Sequence, residues 1–309
     1  MSDILISGAT GFVGKNLSEY LQKAGHNIYG LSRTASGHNQ IPWSNVKQVT
    51  DLPVDAYVHL AGKAHDLKNA SDPEEYFIIN TELTKQLFDL FLQSNATTFI
   101  YFSSVKAAAD SVRDVLDEEV VPNPQTVYGQ SKLRAEQYLL SQPLPNNKRL
   151  YILRPCMIHG PGNKGNLNLL YKFVSKGIPY PLAAFENRRS FLFIENLNFI
   201  VNKLLTESVI PSGIYNLADD DSLSTVEVVK IISATLNRKP SLWHLSKSFL
   251  RLTAAIGDKL KLPLNSERLK KMTENYVVSN QKIKDALQIK NLPVKTQNGL
   301  TETIKSFLQ

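Results

Sequence analysis

The sequence predicts an α/β chain: an open parallel sheet wound on both faces by helices, followed by a smaller, mostly helical C-terminal lobe. Three observations carry this. The chain opens with a buried-strand pattern, Ile4-Leu5-Ile6, that runs through a glycine-rich turn into an amphipathic segment. Short apolar runs then alternate with helix-like stretches up to Pro155, the pattern of a doubly wound parallel sheet. Past that point the alternation loosens, and helical periodicity dominates to Phe307.

The first turn reads Ser7-Gly8-Ala9-Thr10-Gly11-Phe12-Val13-Gly14, and Leu17, Tyr20 and Leu21 follow on one helix side. Glycines there permit a tight turn and close backbone approach. The helix N-terminus offers unpaired N–H groups and a positive dipole end to a pyrophosphate. Between a strand and a helix, such glycines point to dinucleotide binding and a Rossmann-type sheet. The next strand, Asn27 to Arg33, ends where dinucleotide folds read the adenosine ribose. An acid there accepts hydrogen bonds from the 2′-hydroxyl of NAD, whereas an arginine accommodates the 2′-phosphate of NADP. The chain offers Ser32 and Arg33 and no acid, which favours NADP over NAD. Gly37 to Trp43 is loop-like, and Val46 to Leu52 reads as a short strand.

Val54 to Gly62 is a further strand whose end, Leu60-Ala61-Gly62, is small enough to leave a ligand room outside the sheet. His59 within it reads as a buried, hydrogen-bonded histidine rather than a base. Ser71-Asp72-Pro73-Glu74-Glu75 is a helix start, with proline at a tolerated first-turn position. A long helical pattern follows through Asn80, Leu83, Leu87, Leu90 and Phe91. Phe99 to Ser104 is a strand ending in two hydroxyls; Ser104 suits either a substrate oxygen or a turn cap. Tyr128 and Lys132 then lie one turn apart on a helix face. An ammonium beside a phenol draws its pKa down toward neutrality, which equips the phenol for the proton half of a hydride transfer.

Leu150 to Pro155 is a strand and His159 to Gly162 a turn. Gly165 to Lys176 is a helix and Pro179 to Asn187 a loop. Arg188 to Ile194 is a strand leading into a helix to Leu205, and Ile214 to Ala218 is the last strand. Asp219-Asp220-Asp221 reads as a solvated turn; the spacing of His and Cys expected of a metal site is absent. Phe249 to Leu262 is a basic amphipathic helix, suited to packing on the C-terminal lobe more than to lying on a membrane surface.

Composition bounds the partners. With 42% hydrophobic and 20% charged residues, the chain is neither disordered nor membrane-like. No apolar run is long enough to span a bilayer, and the N-terminus lacks the order of a signal peptide. The single cysteine, Cys156, reads as a small core residue and fits a reducing, cytoplasmic setting. The net charge of +7 is scattered, without the aromatic-basic interleaving of a nucleic-acid surface. A positive field that attracts a small anionic substrate is the simpler reading.

Taken together, these residues resemble the extended short-chain dehydrogenase/reductases, the nucleotide-sugar epimerase/dehydratase family, along nearly the whole chain. Gly8, Gly11 and Gly14 match the GxxGxxG spacing, and His59-Leu60-Ala61-Gly62 is similar to the HLAA element. Ser104, Tyr128 and Lys132 match the Ser/Thr–Tyr–Lys set, and Arg154-Pro155 with Gly160-Pro161-Gly162 resembles the entry to the substrate lobe. Arg189 matches an arginine that contacts the diphosphate, although Ser190 replaces the aspartate usual after it.

The resemblance implies a cofactor, NADP(H) or NAD(H), held by Gly8, Thr10, Gly11, Phe12, Val13, Gly14, Ser32, Arg33, Leu60, Ala61, Gly62, Asn80 and Lys132. It implies a UDP-sugar against Ser104, Lys106, Asn166, Arg189 and Arg268, and catalysis by Ser104, Tyr128 and Lys132. Residues 1–160 plus 190–216 would bind the cofactor, and 161–189 plus 217–309 the sugar nucleotide. Tyr128 would exchange a proton with the sugar C4 oxygen while Lys132 holds the nicotinamide ribose. Sugar dehydratases carry an acidic pair after the Ser/Thr; Val105 and Lys106 stand there instead, which disfavours dehydration. A 4-keto reductase and a 4-epimerase remain, the reductase slightly ahead because of Arg33. The closest likeness is to a bacterial UDP-glucose 4-epimerase-like subgroup that includes reductases of UDP-4-keto-6-deoxy-N-acetylhexosamines. A non-catalytic dinucleotide sensor has no use for the intact Ser104, Tyr128 and Lys132. A homodimer is a family expectation; nucleic acid and membrane insertion are not expected.

Overall fold

A computed structural model of the chain describes residues 1–33, 39–63, 72–163, 165–260 and 265–308. The strands are β1 (Asp3–Ser7), β2 (Asn27–Ser32), β3 (Gln40–Pro42), β4 (Ala56–His59), β5 (Thr98–Phe102), β6 (Val115–Leu116), β7 (Arg149–Pro155), β8 (Met157–His159), β9 (Arg189–Phe193), β10 (Gly213–Leu217), β11 (Ser222–Leu223) and β12 (Val277–Val278). Seven of them form one parallel sheet in the order β10-β7-β5-β4-β1-β2-β3. β2 and β3 lie on one side of β1 and β4, β5, β7 and β10 on the other, so the chain changes winding direction between β1 and β4. Doubly wound sheets bind ligands at the carboxyl ends of such a pair.

Helices cover both faces, which is why the strands read as continuous apolar runs rather than alternating ones. On one face α1 (Phe12–Lys23) contributes Leu17 and Leu21 to a core shared with Leu197, Ile200 and Leu204 of α6 (Ile194–Thr206). On the other, α3 (Leu83–Gln93) and α4 (Val127–Ser141) bury Leu87, Phe88, Phe91, Ala135 and Leu139 against Tyr57, Phe99 and Tyr101. Truncating a ring such as Phe99 to alanine costs ~3–5 kcal/mol at a site this enclosed. A third core collects Leu167, Phe191, Val228, Leu250, Leu269 and Leu300. It lies under α5 (Asn166–Ser175), α7 (Thr225–Thr235), α8 (Lys247–Leu260), α9 (Ser266–Thr273) and α11 (Thr296–Lys305). Beside it β9 pairs with β8 and β11 in a small sheet. The two remaining helices are α2 (Pro73–Phe77) and α10 (Gln281–Ala286).

The structure corrects four expectations. Val46 to Leu52 is helical rather than extended: 3-10 turns run from Trp43 to Asp51. Val46 and Val49, three residues apart, both bury, and that spacing suits a helical turn rather than a pleat. The outer strand is β3, inside the stretch expected as loop. Asp219-Asp220-Asp221 is not a solvated turn. Asp219 is buried and accepts hydrogen bonds from the Phe193 N–H (3.0 Å) and Asn196 Nδ2 (2.8 Å). Asp220 accepts from Asn280 Nδ2, Lys284 Nζ and the Leu292 N–H at 2.8–3.0 Å, so the two acids tie the C-terminal segment to β9 and β10. Donors of this number are what let carboxylates leave water. Finally, the turn at His159 is shorter than expected, because Met157–His159 pairs as a strand with β9. Ser71, Lys164 and the Lys261–Leu262 end of the amphipathic helix lie outside the described residues.

Candidate active site

Gly8 leaves β1 at φ +74°, a left-handed conformation open to glycine, and a Cβ on it would stand 2.8 Å from the Ala61 nitrogen. A Cβ on Gly14 would stand 2.3 Å from the Gly8 carbonyl. The turn is therefore built of atoms that leave no space for side chains. Its tip, Thr10 and Gly11, is exposed, with Phe12 and Val13 half-buried behind it. Gly11 is the N-cap of α1 and, among the described residues, no side chain caps the helix and no acid sits in its first turn. Its first amides remain available to an anion. This geometry fits a dinucleotide pyrophosphate. Ser32 is buried and Arg33 exposed at the end of β2. The Phe12 ring lies against Gly160 and Gly162, so the turn that follows β8 meets the glycine turn.

His59 is fully buried, as its sequence setting suggests, and its hydrogen bonds fix its tautomer. Asn80's carbonyl accepts the Thr84 hydroxyl (2.8 Å), so Thr84 Oγ1 accepts from His59 Nε2–H (2.9 Å). Nδ1 then accepts from the Ser7 hydroxyl at 2.5 Å, and Ser7 Oγ accepts the Ala61 N–H. Burial, aided by the Lys132 charge, lowers the His59 pKa to about 3, so the ring is neutral at physiological pH and is a strut rather than a base.

The strut ends at Asn80, in a π-helical turn spanning Ile78–Glu82. Asn80 is fully buried; its Oδ1 accepts from the Lys63 N–H (2.7 Å) and its Nδ2 donates to Ser131 Oγ (3.0 Å). It thus pins the turn after β4 to the Tyr128 helix. A Cβ on Gly62 would lie 2.9 Å from Asn80 Oδ1 and 3.1 Å from Lys132 Nζ, so Gly62, Asn80 and Lys132 converge.

Ser104 follows β5 as the cap of a short 3-10 turn, its Oγ accepting from the Lys106 N–H at 3.2 Å. The same hydroxyl lies next to the Tyr128 phenol and favours its ionised form. Capping and contact with the phenol therefore coexist. Helix α4 starts at Thr126, whose hydroxyl caps Gly129 and is itself held by Asp110 Oδ1 at 3.0 Å. Gly129 packs so closely that a Cβ would stand 2.3 Å from the Lys106 carbonyl, which locks Tyr128 beside the Ser104 turn.

Lys132 points its ammonium at the Phe102 carbonyl (2.9 Å) and the Tyr101 ring. Burial lowers its pKa to about 8, with the Glu136 charge opposing the fall. The Tyr128 pKa runs against the expectation from the sequence. Burial raises it above 10.0 and the Ser104 hydroxyl only partly offsets this; Lys132 does not pull it down. The lysine's charge is turned to the strand end, not to the phenol.

Near this group Lys106 Nζ donates to the Asp110 carbonyl (2.8 Å) and sits 4.1 Å from the Tyr276 ring centre. Burial lowers its pKa; the acids Asp110 and Glu274 resist, and the charges of Arg189 and Lys271 push it further down. Arg189 donates to the Lys271 carbonyl, and its Nε is buried with no partner among the described residues. Tyr276 hydrogen-bonds the Ala109 carbonyl at 2.6 Å and binds this region to the Ser104 turn. Clustered cations with an unsatisfied guanidinium N–H suit a di-anionic ligand. Asn166 and Arg268 stand exposed on α5 and α9.

The sequence reading missed Asp110, Glu136 and Tyr276. Only Glu136 left a signal: it continues the four-residue spacing of Tyr128 and Lys132. Cys156 is a buried thiol whose pKa burial pushes up, as suits a core residue. Among the described residues no group of three His, Cys, Asp or Glu side chains could hold a metal.

The chain is similar to known proteins. The UDP-glucose 4-epimerase of Vibrio cholerae is 29% identical over 99% of this chain and 95% of its own length. A UDP-2-acetamido-2,6-beta-L-arabino-hexul-4-ose reductase of Pseudomonas aeruginosa is 30% identical over 53% of this chain and 38% of its own. The crystal structure of a UDP-N-acetylglucosamine 4-epimerase from Bacillus cereus superposes over 100% of both chains with a TM-score of 0.80 at 21% identity, a likeness of fold. A family pattern spans residues 4–218, from the first buried strand through β10, and by it the chain belongs to the NAD dependent epimerase/dehydratase family.

Proposed function

We propose that the chain transfers hydride at C4 of a UDP-sugar, reducing a 4-keto sugar with Tyr128 as proton donor. The observation that carries this is the placement of the Ser104 hydroxyl next to the Tyr128 phenol, with Lys132 at the carboxyl end of β5. Bound along the glycine turn, NADP(H) or NAD(H) supplies the hydride. Ser104 orients the reacting oxygen, and Tyr128 delivers the proton to it as negative charge develops there. A phenol whose pKa is raised by burial is protonated at neutral pH, which suits a donor. Lys132 holds the cofactor ribose, and Asn80 positions the Gly62–Lys63 turn against it. Residues 1–160 plus 190–216 form the cofactor lobe and 161–189 plus 217–309 the sugar-nucleotide lobe. Arg189 of that lobe and Lys106 of the cofactor lobe meet the diphosphate, and Asn166 and Arg268 contribute from the helices. Reduction is preferred to dehydration because Val105 and Lys106 occupy the places where dehydration needs acids. Arg33 favours an exchangeable NADPH.

The second reading, 4-epimerisation with retained NAD, is favoured by the Vibrio cholerae relative, which matches nearly end to end. One assay separates them. Reduced nicotinamide absorbance falls in the presence of a UDP-4-keto-6-deoxy-N-acetylhexosamine if the chain is a reductase. Interconversion of UDP-GlcNAc and UDP-GalNAc without net cofactor consumption establishes the epimerase. Inactivity on both contradicts the C4 assignment.

A further inference from the structure

Helix α8 is amphipathic over more of its circumference than the protein covers. Leu250 and Ala254 are buried in the third core. Phe249, Leu252, Ile256 and Leu260 recur at three- and four-residue spacing on the adjoining face and remain 53%, 62%, 46% and 65% exposed. Packing on the C-terminal lobe therefore leaves part of the apolar surface of α8 uncovered. Just before the helix, the Trp243 ring is also mostly exposed. Scattered single apolar residues need no explanation, but four large ones in a stripe do.

The charges around the stripe identify what covers it. From Lys247 to Met272 the sequence carries seven lysines and arginines against two acids. Both acids are already engaged: Asp258 accepts from the Ser266 N–H and hydroxyl, and Glu267 pairs with Lys271 at 2.6 Å. On α8 itself Lys247, Arg251 and Lys259 are exposed. An apolar stripe with bulky anchors, a cationic flank and a nearby exposed tryptophan is what a helix needs to lie in a membrane interface. Among the described residues no helix is long and apolar enough to cross a bilayer, so the contact is peripheral.

We propose that α8 docks this protein on an anionic lipid surface, with Phe249, Leu252, Ile256 and Leu260 entering the interface and Arg251 and Lys259 at the headgroups; Lys247, on the far side of the helix, packs over the Phe185 ring instead. The docking does not depend on which sugar is reduced. It would place the C-terminal lobe, which α8 helps to cover, at the membrane side of the molecule.

The full chain is sedimented with phosphatidylcholine vesicles and with vesicles that also contain phosphatidylglycerol. Binding is expected only to the anionic vesicles and to weaken as salt is raised. Replacing Arg251 and Lys259 by glutamine lowers the partition about fivefold per charge. L252S/I256S abolishes binding while its melting temperature and its cofactor affinity stay those of the parent. The proposal is overturned if the parent stays in the supernatant, if it binds neutral vesicles equally, or if L252S/I256S sediments like the parent. It is also overturned if light scattering finds a dimer that L252S/I256S converts to monomer, since the stripe then belongs to a second copy.

Discussion

Arg154 and Glu136 form a two-bonded ion pair inside the protein, Nε to Oε1 at 3.0 Å and Nη2 to Oε2 at 2.5 Å, with side chains 2% and 1% exposed. The Ser103 hydroxyl donates to the same carboxylate. Glu136 lies one helical turn beyond Lys132, and its charge resists the loss of the lysine's proton on burial. The pair thus joins β7, the end of β5 and α4, and it keeps the ammonium charged.

Breaking that pair separates its two roles. E136Q leaves the Arg154 charge buried without a counterion, and a stability loss of ~3–5 kcal/mol is expected in denaturant melts. E136L/R154M removes both charges and recovers most of the stability. The alkaline limb of its kcat/KM profile still moves to lower pH, because Lys132 has lost the charge that favoured its protonated form. A double variant with an unmoved alkaline limb would confine the pair to a structural role.

Tyr128→Phe keeps the ring and its packing against Tyr76, and removes only the hydroxyl. Turnover falls by ~10²–10⁴-fold, the usual worth of a positioned proton donor. Titration of cofactor fluorescence gives an unchanged affinity, since the phenol hydroxyl is not what holds the dinucleotide.

His59 gives the fold an acid-labile component. Its folded pKa, about 3, lies below the ordinary 6.5. The unfolded chain therefore takes up the proton first as pH falls. The contribution is fully present above pH 6.5 and is lost progressively down to about 3, to a total of at most about 5 kcal/mol. His59→Gln removes the titration, so its unfolding free energy depends less steeply on pH across that window. An equally steep dependence in the variant would assign the acid sensitivity to other groups.

Gly14→Ala puts a methyl against the backbone of Gly8 and Ala9, which are not free to yield. Cofactor affinity is expected to drop at least ~10-fold, with ~1–3 kcal/mol of stability lost from overpacking. Calorimetric titration checks the first and thermal melting the second. The same change at Gly25, where a Cβ meets nothing within 4 Å but φ is +90°, affects stability alone.

The sheet was legible in the sequence because strands buried on both faces leave unbroken apolar runs, and because Gly8, Gly11 and Gly14 sit between a strand and a helix. Tyr128 and Lys132 were legible as a spacing, but the direction of the Tyr128 pKa was not, since burial is a property of the assembled core. Val46 and Val49 misled because two valines suit strand and helical turn alike. Asp219 and Glu136 look like surface acids until their donors arrive from far along the chain, Asn196 in one case and Arg154 in the other. Tyr276 reaches Ala109 across 167 residues, and no local pattern announces that contact.

In the proposed reaction hydride reaches sugar C4 while Tyr128 supplies the proton. The most direct measurement uses a nicotinamide cofactor deuterated at the transferred position, a UDP-4-keto-6-deoxy-N-acetylhexosamine, and proton NMR of the product. Deuterium is expected at C4 of the product with the parent protein, and no labelled product with Tyr128→Phe. Deuterium at another carbon, or the same C4 label at an undiminished rate from Tyr128→Phe, would contradict that reaction.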